Sequence, residues 1–459
     1  MIRFSLAAAL LLTAVAAAQE VERHPYDIAR EEFGKTVAGW KQEYAGRDDV
    51  LVLEGVLADR KAQSVTVLAV ATSLSGSDPV EFFLTPLDSG KDYESLAVTF
   101  AKPSDVHKAL EFIGLKPGRP VNFNTNHLWP RGPRVAMEFD SGGKKRRVED
   151  LVVSGQQETP LPRTGMLFTG SYTFKDEQGI TQYAADEAEA KVIAPNYNDP
   201  TAVLDLPRRA LQSEVYGFQR ANPEQLLKFG ETIRILLTPA ADEEAVQTRD
   251  LQIAVRQRDG RPAFEISENG KTLASAANLP EMVAALAEQA KSRDDLFTTV
   301  TFDPAVLVKD VRTTFAVLQS LEQDRRIKLE PSPANQLFYR AFFPDEQWRV
   351  REERLGEPWE LFLSRQENKL IGRLERQVEN FEAGAPQRVQ LQRFETPAPE
   401  VLSRVVADNV SQWSKAIFIY PPADITYGEL MTWAGPVADQ NPRIFIFPAV
   451  NDGTTQPAK

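Results

Sequence analysis

Cysteine is absent from all 459 residues. That excludes disulfides, a lipid-modified N-terminal cysteine, thiol nucleophiles and cysteine-ligated iron–sulfur clusters. Histidine occurs three times, at His24, His107 and His127, and neither His24 nor His127 sits in a recognisable ligand spacing. The chain also lacks GxxxxGK(S/T), GxGxxG after a strand, GxSxG and HExxH, so no familiar nucleotide, hydrolase or metalloprotease site is written into it. Basic charge is in deficit, with 53 Lys and Arg against 65 Asp and Glu and a net charge of −12. Nucleic acid or an anionic membrane would need the opposite field.

Long apolar runs are missing except at the start, MIRFSLAAALLLTAVAAAQE. One positive charge at Arg3, an apolar stretch and the small residues Ala16, Ala17 and Ala18 read as a secretory signal peptide, residues 1–18, cleaved after Ala18. The run is shorter than the roughly 20 apolar residues a bilayer core requires, so the expectation is a mature chain without a membrane span, periplasmic or secreted. Hydrophobic residues at 42% and charged residues at 26% are ordinary for globular proteins. The length suggests several cores held together by packing alone.

Residues 19–48 form a polar, helix-prone segment containing the amphipathic stretch REEFGKTVAGWKQEY. Strand-like alternation begins in VLVLEGVLADRKAQSVTVLAVATSL, which reads as a hairpin around ADRKAQ. In AKPSDVHKALEFIGLKPG, Pro103 starts a helix with Ser104 and Asp105 as capping groups. Val106, Ala109, Leu110 and Ile113 recur at helical spacing, and Gly114 stops the run. Strands flank the turn residues Ser141, Gly142 and Gly143, and Lys144 to Arg147 read as a solvated hairpin arm beside Glu149 and Asp150. This mixed-strand α+β domain spans 49–240 and ends at the acidic linker PAADEEAVQTRD.

One order then occurs twice. LQIAVRQRDGRPAFEIS is a hairpin around Asp259 and Gly260, followed by the helix LPEMVAALAEQAK, the strand FTTVTF, the helix AVLVKDVRTTFAVLQSL and the strand IKLEP. The second copy has the helix VLSRVVADNVSQWS, the strand AIFIYP, the helix TYGELMTWAGPVA and the strand RIFIFP. Residues 302–315 align without gaps over 420–433, which implies two divergent βαβ-containing modules at 249–331 and 346–448. A proline-bearing linker, 332–345, joins them, and 449–459 is a disordered tail.

The segments PVEFFLTPLDSGKDYESLAV, AKPSDVHKALEFIGLKPG, GMLFTGSYTF, ITQYAADEAEA and AVLDLP, in that order, resemble the landmarks of the YdjY family of exported bacterial domains, over about residues 50–210. Iron–sulfur labels attached to members of that family do not carry over to a chain without cysteine. The second half is more weakly similar to the periplasmic domains of the ExbD and TolR proteins. In those an Asp and a following Tyr precede the second helix of a βαβ unit, as Asp424 and Tyr427 do here, whereas the first copy has Val306 and Lys309. The resemblance implies a small interaction module, duplicated and without the family's transmembrane helix.

His107 and Glu111 share a helix face at i, i+4, as paired metal ligands can, but a zinc site needs a third protein ligand. The pair reads first as a helix-surface feature. Asp242, Glu243 and Glu244, and Asp294 with Asp295, read as solvated acidic surface, and Asp424 as a helix cap. Trp129 lies among turn residues, where it either closes the edge of a core or offers an aromatic platform.

The expectation is therefore an exported, non-enzymatic envelope protein without a cofactor or bound metal. It would bind envelope proteins or cell-wall polymer, with self-association through the tandem modules also open. The weak interaction candidates are His107, Glu111, Trp129, Asp424 and Tyr427. The alternative is an extracytoplasmic enzyme or metal-dependent protein that uses His107 and Glu111.

Overall fold

A computed structural model describes residues 23–123, 127–240, 246–291, 295–324, 327–331, 341–342, 359–367, 369–380, 388–396, 399–400, 416–438 and 443–447. The expected signal peptide at 1–18, Asp242 to Glu244, Asp294, the helix expected at 401–414 and the expected tail at 449–459 lie outside them. The architecture is α+β, with mixed sheets and few helices. No helix among the described residues is long and apolar enough to cross a membrane.

Helix α1 (Pro25–Glu43) opens the described chain, and the His24 side chain caps it by accepting from the Tyr26 N–H at 3.3 Å. Its Tyr26, Ala29 and Phe33 pack on Leu68, Val70 and Val98, so the polar N-terminal segment is one wall of the first domain. Strands β1 (Val50–Leu53), β2 (Val56–Asp59) and β3 (Ser64–Ala71) make a three-stranded meander where the sequence suggested one hairpin. The cause is Glu54-Gly55. Gly55 sits at φ +70° and Leu53 pairs with Val56, so the apolar run reverses within two residues.

The remaining first-domain elements are β4 (Phe82–Pro86), β5 (Ser95–Thr99), α2 (Pro103–Phe112), β6 (Arg134–Ser141), β7 (Lys144–Arg147), β8 (Val152–Ser154), β9 (Thr159–Pro160) and β10 (Met166–Phe168). They continue through β11 (Thr173–Lys175), β12 (Thr181–Tyr183), β13 (Ala194–Pro195), β14 (Leu204–Asp205), α3 (Gln212–Tyr216), β15 (Gln219–Ala221) and β16 (Thr232–Pro239). The main sheet runs β13-β4-β5-β3-β16-β6-β10-β14, with β1 and β2 beyond β3 and β7 beside β6. Among the described residues strands β11 and β12 pair only with each other and form a separate arm.

Helix α2 forms where the periodicity placed it. Val106, Ala109, Leu110 and Ile113 are all fully buried, and each such Val, Leu or Ile contributes about 1.5–3 kcal/mol of burial. Its cap is different from the one expected. Neither Ser104 nor Asp105 caps it; Asp186, 82 residues downstream, accepts from the Ser104 N–H at 2.9 Å.

The modules share a topology longer than the sequence repeat suggested. The first has β17 (Thr248–Arg258), β18 (Arg261–Glu268), β19 (Lys271–Ala276), α4 (Leu279–Gln289), β20 (Asp295–Phe302), α5 (Val308–Gln323) and β21 (Lys328–Leu329), in sheet order β19-β18-β17-β20-β21. In the second, β22 (Ala341–Phe342), within the expected linker, pairs with the last strand. It is followed by β23 (Trp359–Gln366), β24 (Lys369–Asn380), β25 (Arg388–Thr396), β26 (Ala416–Tyr420), α6 (Tyr427–Ala438) and β27 (Arg443–Ile446). Its sheet order, β25-β24-β23-β26-β27-β22, reproduces the first, with three antiparallel strands and then parallel ones.

The modules meet through equivalent segments. Leu307 bridges Thr426 in an antiparallel contact, and the Tyr427 N–H donates to Val306 O at 2.7 Å. Tyr427 joins the hydrophobic core of the first module while Val308 joins that of the second.

The first domain meets the first module through charge. Arg134 pairs with Asp295 at 2.7 Å and Lys328 pairs with the same carboxylate at 2.9 Å. Arg119 and Arg131 both pair with Glu330, and Arg131 also reaches Asp250 at 2.7 Å. Asp295 is therefore a largely buried joint residue rather than solvated acidic surface, because two cations from different elements converge on it.

Candidate binding cleft

An open cleft of about 910 Å³ lies on the first domain, between the β11–β12 arm and the chain around residues 187–201. The arm carries Tyr172 and Phe174 two residues apart, which places both on one face. Their ring centroids are 6.3 Å apart, and Phe123 and Leu211 complete the apolar lining. All four are substantially exposed, Phe123 at 48% and Tyr172 at 46%. Among the described residues every exposed large hydrophobic falls between Ile28 and Phe229, and none in the modules. Clustered exposed aromatics are a feature of interaction surfaces, and this cluster belongs to the first domain.

The arm is fixed at its two ends. At its tip, Asp176 accepts from the N–H groups of Gln178 and Ile180 at 3.0 and 2.8 Å and from Gln182 Nε2 at 2.7 Å. At its base, the Tyr183 hydroxyl donates to Gly170 O at 3.0 Å, and His107 Nδ1 lies 2.9 Å from that hydroxyl and 3.1 Å from the same carbonyl oxygen. Burial pushes the Tyr183 hydroxyl well above its ordinary pKa. The His107 ring also packs edge-on against Phe168 and Tyr183. Gly170 sits at φ +80°, and a Cβ there would come within 2.4 Å of Pro117 and 3.0 Å of the His107 ring.

The floor is polar but largely occupied by its own scaffold. Asn198 donates to Asp205 Oδ1 at 2.9 Å and accepts from the Ala210 N–H at 2.7 Å. Asp199 Oδ1 accepts from the Thr201 N–H and hydroxyl at 2.7 and 2.6 Å. Lys91 Nζ donates to Ala190 O at 2.5 Å and sits 5.1 Å from the Phe82 ring centroid; burial depresses its pKa. Burial first, then the carboxylates of Asp199, Glu81 and Glu94, raises the Tyr197 hydroxyl pKa, so the floor lies in a negative field. What remains unspent is the aromatic faces and the rim carboxylates of Glu187 and Glu189, which make no ion pair with any described residue.

None of the five residues singled out from the sequence lines this cleft. His107 does meet Glu111, Nε2 to Oε2 at 3.4 Å, but its other nitrogen serves the arm's base. Among the described residues no group of three or more His, Asp or Glu side chains is placed to hold a metal. Trp129 is 3% exposed and closes the joint to the first module, so it is not an exposed platform. Asp424 is no cap: it pairs with Arg365 at 2.7 Å, while Thr426 and Glu429 cap α6 reciprocally at 3.0 and 3.3 Å. Tyr427 turns away into the first module, its ring centroid 5.3 Å from that of Phe302. The signal for Tyr172 and Phe174 was present in SYTFKDEQGITQY, an aromatic alternation without apolar partners on the returning strand.

Residues 56–200 match the family model of the YdjY domain. The first domain is a YdjY domain. The aromatic arm and the α2 anchor of the arm fall within the matched part of this YdjY domain, whereas Thr201, Leu211 and Gln212 of the cleft lie just beyond it. No curated protein matches the sequence. Among solved structures, one similar chain is a Bacteroides thetaiotaomicron protein described as having an actin-like ATPase fold and unknown function. It is 10% identical over 43% of this chain and 90% of that one, with a TM-score of 0.14. Another is YeaZ from Pseudomonas aeruginosa, 14% identical over 42% of this chain and 93% of that one, with a TM-score of 0.15. At those TM-scores neither carries an argument about this chain.

Proposed function

We propose that this is an exported envelope protein that acts by binding, with the YdjY domain's cleft as the contact surface for envelope protein or cell-wall polymer. The observation that carries the reading is the concentration of exposed aromatic faces at one cleft, whose polar floor is already satisfied by its own scaffold. Groups spent on holding the floor together position a surface well but leave little for acid–base or nucleophilic work. The tandem modules, joined to the YdjY domain by the Arg134–Asp295 and Arg131–Asp250 pairs, then serve as a rigid base that presents it.

The test is recovery from envelope fractions with the full chain, alongside a Tyr172→Ala/Phe174→Ala variant. The expected result is a specific protein or sedimentable wall material retained by the wild type and lost by the variant. Retention of neither, or equal retention by both, overturns the reading.

A further inference from the structure

We infer that the occupant of the YdjY cleft is an extended, arginine- or lysine-bearing peptide segment of a partner protein, held by the Tyr172, Phe174 and Phe123 ring faces and the Glu187 and Glu189 carboxylates. This rests on the binding role proposed above and names its chemistry.

Charge decides the class of ligand. Three carboxylates line the cleft against one ammonium, that of Lys91, which is turned onto the carbonyl oxygens of Ala190 and Glu189 at 2.5 and 3.4 Å. A neutral glycan would stack on the aromatic faces and donate hydroxyls to the rim carboxylates, but it would bring no charge to set against them. An acidic ligand would meet like charge. A guanidinium or ammonium gains from both, since aromatic faces attract cations and an unpaired carboxylate gives a guanidinium a matching fork.

Shape supports the same choice. The cleft is open, its volume of about 910 Å³ holds more than one side chain, and its lining includes Leu211 and Gln212 as well as Tyr172 and Phe174. Among the described residues no further strand lies beside β11 and β12, so the arm offers backbone as well as ring faces to an extended segment.

The experiment titrates the full chain with three probes: a blocked, glycine-spaced tetra-arginine peptide, the matching tetra-glutamate peptide, and a neutral N-acetylglucosamine hexamer. The arginine peptide is expected to bind, and to weaken about tenfold or more when ionic strength rises from about 0.05 to about 0.5 M. A similar loss is expected in Tyr172→Ala and in Glu187→Gln/Glu189→Gln, with Tyr172→Phe retaining affinity. Equal binding of the arginine peptide by wild type and cleft variants would mean general attraction to an acidic protein, and overturns the inference. Salt-independent binding of the hexamer alone also overturns it while leaving the binding role standing. Silence of all three probes, with partner recovery from envelope fractions intact, overturns the basic-peptide chemistry only.

Discussion

The indole N–H of Trp129, in a loop of the YdjY domain, donates to Glu322 Oε1 at 2.6 Å near the end of α5 in the first module. Glu322 also accepts from the Leu329 N–H at 2.9 Å, and burial raises its pKa. Trp129 is thus a fastener between two cores. Trp129→Phe keeps most of the ring and removes the donor, at an expected cost of about 1–3 kcal/mol. Trp129→Ala removes the ring as well and is expected to cost about 3–5 kcal/mol. Denaturant unfolding checks both, and the alanine variant should resolve into separate transitions for the domain and the modules.

Asp205 should make the protein less stable as pH rises. Its Oδ1 accepts from Asn198 and from the Leu206 N–H, whereas Oδ2 is buried without a partner among the described residues. Burial drives its pKa well above the usual carboxylate range, so the native state keeps a proton that the unfolded chain releases near pH 4. Native protein therefore binds more protons above that point, and stability is lost as pH climbs through the raised value. Asp205→Asn removes this slope. Urea titrations at about pH 5 and about pH 8 should show wild type losing ground to the variant at the higher pH.

His127 has the opposite sign. Burial first, then the neighbouring Arg119 and Arg131, lowers its pKa to about 4. The unfolded chain takes up that proton near pH 6.5, so the stability contributed by neutral His127 is present above 6.5 and lost as pH falls towards 4. His127→Gln is expected to flatten that acid limb in thermal melts between about pH 6.5 and 4.

Tyr427 belongs by sequence to the second module and by packing to the first. Tyr427→Ala should open a cavity costing about 3–5 kcal/mol, felt in residues 295–329 rather than around the mutation's own sheet. At the adjacent position, an added Cβ on Gly428 would lie 2.7 Å from the Pro304 Cβ, so Gly428→Ala should wedge the same joint at about 1–3 kcal/mol. Hydrogen exchange across both modules checks the location, and faster exchange confined to residues 416–446 would contradict it.

Local rules made much of the fold legible. The helical spacing of Val106 to Ile113 gave α2, the Ser141-Gly142-Gly143 turn gave the β6–β7 hairpin, and the match of 302–315 to 420–433 gave the repeat. What escaped depends on partners far along the chain. Asp186 replaces the local caps of α2 because it arrives through space, and Arg119, Arg131 and Arg134 find Asp250, Asp295 and Glu330 across more than a hundred residues. The cleft fell between the two cases. Its aromatic alternation is local, but the rings are exposed because no other described strand pairs with β11 or β12, which is a property of the folded sheet.

The exchange of Val308 and Tyr427 between module cores bears on the order in which the chain completes itself. A polypeptide made from its N-terminus has every strand of the first module's sheet by residue 329, yet the ring that fills that module's core comes nearly a hundred residues later. The first module therefore waits, incompletely packed, for the last βαβ unit, and the two mature together. A chain ending before Tyr427 is expected to lack that ring in the first module's core and so to open there more readily than the full chain.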